Sequence, residues 1–343
     1  MDPDLLLAEL LAGRTAALAR AISVVENARP GFEQLLAKVH RSIGRARRIG
    51  LTGPPGAGKS TLVERLVAAY RAMGQRVAVV AVDPTSPFTG GALLGDRIRM
   101  ESIALDEGVY IRSMGSRGSL GGLATSTREV CDVLDAAGFD RILVETVGVG
   151  QSELDVARIA DATVLVLVPE SGDGIQTLKS GVMEVADVFV VNKADRPGAE
   201  KLRQEIEITL GIRRGNAFRH VPAHHGVRGT KGADRADGQS EAWNHPVLLT
   251  VASKGEGVSD LVTALDRRFE WLERTGELVE RRRRRLLDRT REVVDRATRR
   301  WVWEETGAER HVVGRLDDVA EGRASPYEVA AEVLDGLKQG TRT

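Results

Sequence analysis

Short apolar runs alternate with amphipathic stretches through the middle of the chain, between about residues 48 and 252. Runs of this length, separated by helical patterns, are typical of a parallel β-sheet with helices on both faces. The pattern therefore predicts an α/β fold with a doubly wound, mostly parallel sheet. The predicted strands are RIGLTG, VAVVAVD, VYIRSM, RILVETVG, TVLVLVPE, VFVVNKAD and PVLLTVA.

Both ends of the chain have a helical pattern instead. Apolar side chains recur at helical spacing between residues 4 and 46 and again after about residue 267. Ser325 and Glu328 form a capping box at the start of the last predicted helix. We predict an N-terminal helical extension (1–46), a central α/β domain (47–266) and a C-terminal helical arm (267–343).

Composition and charge exclude several classes of protein. The chain has 343 residues and a formal net charge of zero, so no overall field attracts nucleic acid or an anionic membrane. No apolar run reaches the ~18 residues of a membrane span. Cys131 is the single cysteine, which excludes an intramolecular disulfide. The N-terminus lacks the features of a signal peptide, and we expect a cytoplasmic protein that binds neither nucleic acid nor membrane.

A run of five arginines, residues 281–285, is the strongest local charge. It lies in a predicted helix in which Leu287, Val294 and Trp301 recur every seven residues. This spacing favours a basic outer face opposite an apolar packing seam over a nucleic-acid contact.

The segment GPPGAGKST lies between a predicted strand and a predicted helix and fits the phosphate-binding pattern G-x-x-x-x-G-K-[ST]. Its glycines allow backbone N–H groups to surround phosphates, and the helix N-terminus adds partial positive charge. In this pattern Lys59 reaches the β- and γ-phosphates, and the Ser60 hydroxyl binds Mg²⁺. The predicted nucleotide-binding residues here are Gly53, Pro54, Pro55, Gly56, Ala57, Gly58, Lys59, Ser60 and Thr61.

The run VFVVNKAD brings Asn192, Lys193 and Asp195 to the end of a strand, in the N-K-x-D arrangement of GTPases. A carboxylate at Asp195 can accept from both the ring N–H and the exocyclic amine of guanine, a pair that adenine does not offer. The stem of Lys193 can lie along the base. A second base-contacting loop is predicted in VASKGEGV, with Ala252 and Ser253 as candidate contacts. The predicted nucleotides are GTP and GDP.

Three acidic residues are candidates both for catalysis, together with Lys59, and for the Mg²⁺ site, together with Ser60. Asp83 ends a predicted strand, Asp96 lies in a glycine-flanked loop, and Glu145 follows the apolar residues 142–144. Mg²⁺ prefers carboxylates and water around phosphates, and a buried carboxylate is costly unless a cation or donor faces it. The alternatives are a turn or capping role for the two aspartates and a structural ion pair for Glu145.

The turn after Glu145 indicates slow chemistry. Small signalling GTPases carry a water-orienting glutamine where this chain has Val149, which can orient nothing. A third polar loop, residues 168–181, follows the next strand on the γ-phosphate side. We expect slow hydrolysis by the protein on its own.

These motifs resemble the MeaB/ArgK/MMAA family, GTPase chaperones of adenosylcobalamin-dependent methylmalonyl-CoA mutase within the SIMIBI group of P-loop proteins. The resemblance implies GTP hydrolysis with Mg²⁺, a homodimer formed by the C-terminal arm, and an adenosylcobalamin-dependent acyl-CoA mutase as the partner whose cobalamin loading is gated. It is carried by ARAISVVEN, GLTGPPGAGKST, AVDPTSPFTGGALLGDRIRM, LVETVGVGQSE, GDGIQTLKSGVMEVADVFVVNKAD and GRASPYEVA.

The resemblance also implies roles for individual residues. Glu145 takes the place of the usual aspartate as a mark of this branch, and Asp83 and Asp96 match acids around magnesium and the switch loops. The segment 168–181 matches a switch loop that relays the nucleotide state to the mutase. Its predicted relay residues are Gly172, Asp173, Gln176 and Lys179.

Other functions stay open on the sequence. One is a P-loop kinase of the transport-kinase type, and another is a non-catalytic module that nucleotide only stabilises. A third is a metal-insertion GTPase, because the segment 213–243 is longer than the family pattern and contains His220, His224 and His225. Without a cysteine partner or a regular histidine pair, a surface loop is the better interpretation of that segment.

Overall fold

A single seven-stranded parallel sheet forms the centre of the protein, with the order β3-β2-β4-β1-β5-β6-β7. This is a computed structural model, and it describes residues 2–84, 103, 105–116, 122–146, 152–169, 182–213, 242–338 and 340. Each predicted apolar run corresponds to one strand, which confirms the doubly wound α/β prediction. The strands are β1 (Arg47–Thr52), β2 (Val77–Pro84), β3 (Val109–Ser116), β4 (Arg141–Thr146), β5 (Ala162–Leu167), β6 (Val188–Asn192) and β7 (Val247–Thr250).

Helices precede, connect and follow these strands. Short turns of 3₁₀ and π type occupy His40–Ser42 and Trp301–Glu305. The helices are α1 (Pro3–Leu11), α2 (Thr15–Glu26), α3 (Phe32–Val39), α4 (Lys59–Ala72), α5 (Gly122–Ala136), α6 (Ser152–Ile159), α7 (Val182–Val185), α8 (Ala199–Arg213), α9 (Val258–Arg274), α10 (Glu277–Arg300), α11 (Ala308–Gly314), α12 (Leu316–Ala320) and α13 (Pro326–Lys338).

The two faces of the sheet are covered by different helices. Alternate residues of β2 show the division, because Val77 and Val79 join the core under α4 and α9, whereas Ala78 and Val80 join the core under α2, α3, α5 and α6. A third core lies between β5, β6 and the helices α7 and α8. Since β4, β5 and β6 are buried along their whole length, their continuous apolar sequence is explained by cover on both faces.

Asp135 fixes the N-terminal helices to the sheet. Its carboxylate accepts from the backbone N–H groups of Gly44, Arg45 and Ala46 at 2.8, 3.1 and 3.0 Å, where the chain passes from the helices into β1. It also accepts from the guanidinium of Arg48 at 3.3 Å, and only 1% of the Asp135 side chain is exposed. A buried carboxylate is stable here because four donors replace its hydration.

The chain divides into two compact units, residues 1–281 and 282–343. The first unit contains the sheet together with the helices before it. The second contains most of α10 and the helices α11 to α13. The three-part division predicted from the sequence stays a prediction.

The capping box predicted at the last helix is confirmed. The Ser325 backbone N–H donates to the Glu328 carboxylate at 2.7 Å, and the Glu328 N–H donates to the Ser325 hydroxyl at 3.2 Å. The hydrogen bond from the Ser325 backbone N–H lowers the pKa of the Glu328 carboxyl most, and the hydrogen bond with the Ser325 side chain lowers it further. The N-terminus of this helix is therefore determined by local sequence.

The arginine run does not form one uniform outer face. Arg281 turns to the sheet, where it donates to Asp187 at 3.3 Å and to the carbonyl oxygen of Asp161 at 3.2 Å. The predicted seam residues Leu287, Val294 and Trp301 are 53%, 55% and 44% exposed. The seam is therefore open to solvent in the single chain.

Among the described residues, no helix is long and apolar enough to cross a membrane. Cys131 is fully buried in the core beside α5, as its apolar neighbours predict.

We predict that Asp135→Ala lowers the free energy of unfolding by about 3 kcal/mol, because buried N–H groups and Arg48 lose their acceptor. Asp135→Asn should lose less, since an amide oxygen still accepts. The matched control is Asp140→Ala, which removes one hydrogen bond from the Arg76 N–H at an exposed position and should cost about 1 kcal/mol or less. Urea denaturation measures all three, and equal losses for the two alanine variants would contradict the role of Asp135.

Candidate functional site

The predicted site residues lie at the carboxyl ends of four strands. The glycine-rich loop follows β1, Glu145 lies next to the end of β4, Asn192 ends β6, and the segment 251–254 follows β7. Because the strands are parallel, these ends share one edge of the sheet. β1 lies between β4 and β5, where the chain changes from one half of the sheet to the other. In open α/β sheets, such a point is where ligands bind.

Two glycines of the loop 53–58 allow an approach that no other residue permits. Gly53 has a φ of 137°, and a Cβ atom there would lie 2.0 Å from the carbonyl oxygen of Val166. Gly58 has a φ of 86°, and its Cβ atom would lie 2.4 Å from Nδ2 of Asn192. Any side chain would push the loop away from both neighbours. The glycine pattern is therefore required by the surrounding strands as well as by phosphates.

Lys59 is the first residue of α4, and its ammonium group lies within the loop. Nζ donates to the carbonyl oxygens of Gly53 and Pro54 at 2.9 and 3.0 Å, and the residue is 5% exposed. The N-terminus of α4 adds the partial positive charge of its N–H groups at the same place. The arrangement concentrates positive charge where the sequence pattern predicts phosphates.

Ser60 and Glu145 are brought into direct contact. The Ser60 hydroxyl donates to Oε1 of Glu145 at 2.7 Å, and Glu145 is 5% exposed. In β4 this residue is paired with Leu51 of β1 on one side and with Ala81 of β2 on the other. The site therefore has a hydroxyl and a carboxylate together beside the loop, and both are the hard oxygen ligands that Mg²⁺ prefers.

Asn192 connects the phosphate loop to the loop after β7. Its Nδ2 donates to the carbonyl oxygen of Ala57 at 2.8 Å. Its Oδ1 accepts from the Thr250 hydroxyl at 3.0 Å and from the Ala252 N–H at 3.1 Å. The residue is 2% exposed, so its amide serves as a buried link between these loops.

Asp195 and Lys193 lie just beyond this link. Asp195 is exposed, and Lys254 Nζ lies 3.5 Å from its Oδ2. Lys193 has a φ of 56°, which non-glycine residues adopt at a cost of order 1 kcal/mol. This turn separates the buried Asn192 from the exposed Asp195, so one short segment supplies both an internal link and an exposed carboxylate.

The segment 251–254 forms a tight turn next to Asp195. Val251 pairs with Glu256 across the turn, and the Lys254 N–H donates to the Val251 carbonyl oxygen at 2.9 Å. Ala252 is buried, whereas Ser253 and Lys254 are exposed. The predicted second base loop therefore lies where it would face the same ligand as Asp195.

Three residues that make contacts in this region, Arg65, Thr250 and Lys254, were missed by the sequence analysis. Arg65 of α4 donates from Nε to the Ala252 carbonyl oxygen at 3.1 Å and from Nη2 to the Ser253 carbonyl oxygen at 2.7 Å. Thr250 bonds Asn192, and Lys254 pairs with Asp195. Lys254 lies within the predicted loop VASKGEGV and could have been found there, but the Arg65 contacts join residues 187 and 188 positions apart.

Several predicted residues lie outside the described part of the chain. They are Asp96, Val149, the relay residues Gly172, Asp173, Gln176 and Lys179, and the histidines His220, His224 and His225. Asp83 is described for its backbone, which pairs with Gly115 near the end of β2. Among described residues, no group of three or more His, Cys, Asp or Glu side chains is arranged to hold a metal ion.

The fold and this edge of the sheet define a P-loop nucleotide-binding protein. The family model for the methylmalonyl Co-A mutase-associated GTPase MeaB matches residues 18–306. The chain therefore belongs to the MeaB family and is a GTP hydrolase.

Individual relatives agree with this assignment. A protein of Pyrococcus abyssi that bears a GTPase name is 45% identical over 283 residues, which cover 82% of this chain and 81% of that protein. The methylmalonic aciduria type A homolog of Mus musculus, a mitochondrial protein, is 36% identical over 296 residues, or 81% of this chain and 66% of the mouse protein.

One solved structure has the same architecture over nearly the whole chain. It is the crystal structure of a LAO/AO transport system kinase, with a TM-score of 0.65 and 25% sequence identity. The match covers 98% of this chain and 97% of that structure. It supports the P-loop fold with helices before and after the sheet.

Proposed function

We propose that this GTPase acts as a chaperone that gates cobalamin loading and protection of an adenosylcobalamin-dependent acyl-CoA mutase of the methylmalonyl-CoA mutase type. The family match carries this proposal, because it spans residues 18–306 and bears the description of a mutase-associated GTPase. The mouse relative is named for methylmalonic aciduria, which fits the same role. In this proposal, the partner uses the nucleotide state as a signal.

In the proposed reaction, Lys59 and the N-terminus of α4 bind the β- and γ-phosphates of GTP. The Ser60 hydroxyl and the Glu145 carboxylate, already 2.7 Å apart, would hold Mg²⁺ together with phosphate oxygens. Bound Mg²⁺ would neutralise charge on the phosphates. Asp83 and Asp96 are the further acidic candidates for this side of the site.

Base recognition is assigned to the loops after β6 and β7. Asp195 would accept from the ring N–H and the exocyclic amine of guanine, replacing its present contact with Lys254. The Ser253 backbone N–H would donate to the guanine 6-oxo group. Asn192 supports both loops, and its amide is hydrogen-bonded to Ala57, Thr250 and Ala252.

The C-terminal arm is proposed to form a homodimer. Leu287, Val294 and Trp301 are about half exposed in the single chain. An apolar seam at seven-residue spacing on a helix is a surface that a second helix can cover. The proposed location is the cytoplasm.

Phosphoryl transfer to an acceptor other than water is the second candidate function. Its support is the kinase name of the solved structure that matches nearly the whole chain. Radiolabelled γ-phosphate distinguishes the two functions. Label released only as inorganic phosphate supports the hydrolase, and label transferred to a protein or small molecule supports the kinase.

We predict that Glu145→Gln raises the Mg²⁺ concentration needed for half-maximal GTP hydrolysis on the order of tenfold, because the amide keeps the shape but removes the charge. GTP binding in excess chelator should change little. Phosphate release across a Mg²⁺ titration measures the effect. Glu200→Gln, at an exposed position of α8, is the matched control, and an identical Mg²⁺ requirement in both variants would remove Glu145 from the metal site.

We predict that Asp195→Asn weakens GTP binding on the order of tenfold or more and improves binding of xanthosine triphosphate. The reason is that the new amide donates to the 2-oxo group of xanthine, whereas guanine presents an amine there. Competitive titration of the two nucleotides measures the change. The control is Asp260→Asn, at an exposed position on α9, and unchanged base preference in Asp195→Asn would exclude this residue from the base site.

We predict slow phosphate release by the protein alone and an increase of about tenfold or more on addition of purified adenosylcobalamin-dependent methylmalonyl-CoA mutase. Lys59→Ala should lose GTP binding and hydrolysis together. Lys179→Ala should lose mainly the stimulation, since its proposed role is relay.

The matched control for the relay is Lys201→Ala, which removes a lysine that is 81% exposed on α8. It should keep the stimulation of the wild type. Fast hydrolysis by the protein alone, unchanged by the mutase, would contradict the gating proposal but not the GTPase activity.

A further inference from the structure

Arg65 is an exposed arginine on the helix that begins with the phosphate-binding Lys59. Its fork-shaped guanidinium donates to two consecutive carbonyl oxygens, those of Ala252 at 3.1 Å and Ser253 at 2.7 Å. Such a fork fixes the orientation of two acceptors at once, which a single ammonium group cannot do. The contact therefore fastens the loop after β7 to α4.

This contact helps to fix the orientation of one peptide, whose Ala252 carbonyl oxygen also accepts from the Gly255 N–H at 3.2 Å. The Ala252 carbonyl and the Ser253 N–H belong to the same trans peptide and point in opposite directions. When Arg65 holds the carbonyl on the α4 side, the N–H faces away from α4. Asp195 is a neighbour of this turn through its contact with Lys254. Within the described residues, no hydrogen bond engages the Ser253 N–H, so this donor is available.

Ala252 is also held at its N–H, which belongs to the preceding peptide. The Ala252 N–H donates to Asn192 Oδ1 at 3.1 Å, so hydrogen bonds fix this residue at both its N–H and its carbonyl. A charged donor on the carbonyl also polarises the peptide and makes its N–H a stronger donor. The strengthened Ser253 N–H favours binding of an acceptor, and the Lys254 contact places Asp195 beside the same turn.

We propose that Arg65 is a positioning residue for guanine, which holds the Ala252–Ser253 peptide so that the Ser253 N–H meets the 6-oxo group of the base. This inference rests on the proposed base site. Adenine carries an amine at that position, which donates instead of accepting, so a rigid N–H there selects against adenine nucleotides. Arg65 itself touches no nucleotide atom in this arrangement.

The test compares GDP with two analogues that each change one recognised group. Inosine diphosphate lacks the 2-amino group that Asp195 would read. 6-Thioguanosine diphosphate replaces the 6-oxo group with sulfur, a weaker acceptor. Titration calorimetry of the full chain gives the affinity for each nucleotide, in the wild type and in Arg65→Ala, Arg65→Lys and Arg71→Ala.

Arg65→Ala should bind GDP about tenfold more weakly, and its preference for GDP over the 6-thio analogue should shrink towards one. Its preference for GDP over inosine diphosphate should stay as in the wild type, because Asp195 is unchanged. Arg65→Lys should have a GDP affinity, and a preference for GDP over the 6-thio analogue, between those of the wild type and of Arg65→Ala. Arg71→Ala removes an arginine of the same helix that pairs with Asp106 and should keep both preferences.

Equal weakening of all three nucleotides in Arg65→Ala would overturn the proposal, since it would indicate a general effect on the fold. Unchanged GDP affinity and unchanged preferences would overturn it as well. Asp195→Asn separates these failures from a failure of the base site. If that variant changes the preference for GDP over inosine diphosphate, only the role of Arg65 is rejected, and if it does not, the base site itself is rejected.

Discussion

The side-chain amide of Asn192 holds together the loops that are proposed to bind the nucleotide. It donates to the Ala57 carbonyl in the phosphate loop and accepts from Thr250 and from the Ala252 N–H. Aspartate at this position would lose the donor and place a charge against the Ala57 oxygen. Alanine at this position would leave the Ala57 carbonyl, the Thr250 hydroxyl and the Ala252 N–H without this hydrogen-bond partner in a buried region. One neutral, buried group therefore links the phosphate loop directly to the loop after β7.

The order of the strands places different candidate groups on the two sides of the phosphate loop. The phosphate loop follows β1 in the middle of the sheet, with β4, β2 and β3 on one side and β5, β6 and β7 on the other. The acidic candidates Glu145 and Asp83 lie on the first side, and the base-reading candidates Asp195 and Ser253 lie on the second. A nucleotide across this edge would have its phosphates at the centre, with the proposed metal ligands on one side and the base on the other.

The sequence predicted the strands and the phosphate loop well because both depend on local patterns. Continuous apolar runs mark strands covered on both faces, and Gly53 and Gly58 are the residues that the close approach of β5 and Asn192 requires. The contacts of Arg65 and the turn of Arg281 towards Asp187 could not be predicted. They join residues far apart in the chain and depend on how helices pack, which no short pattern records.

A site prepared in this way is compatible with the combination of tight binding and slow chemistry that the proposed function requires. The Asn192 link and the Arg65 contact fix groups that are proposed to meet the base, which has the same structure before and during hydrolysis. Interactions of that kind stabilise bound substrate and transition state equally and do not raise the rate of the chemical step. Acceleration also needs a group that orients the attacking water, and Val149 cannot orient water. In the proposed function the partner supplies this missing contribution, so nucleotide is held until the partner is present.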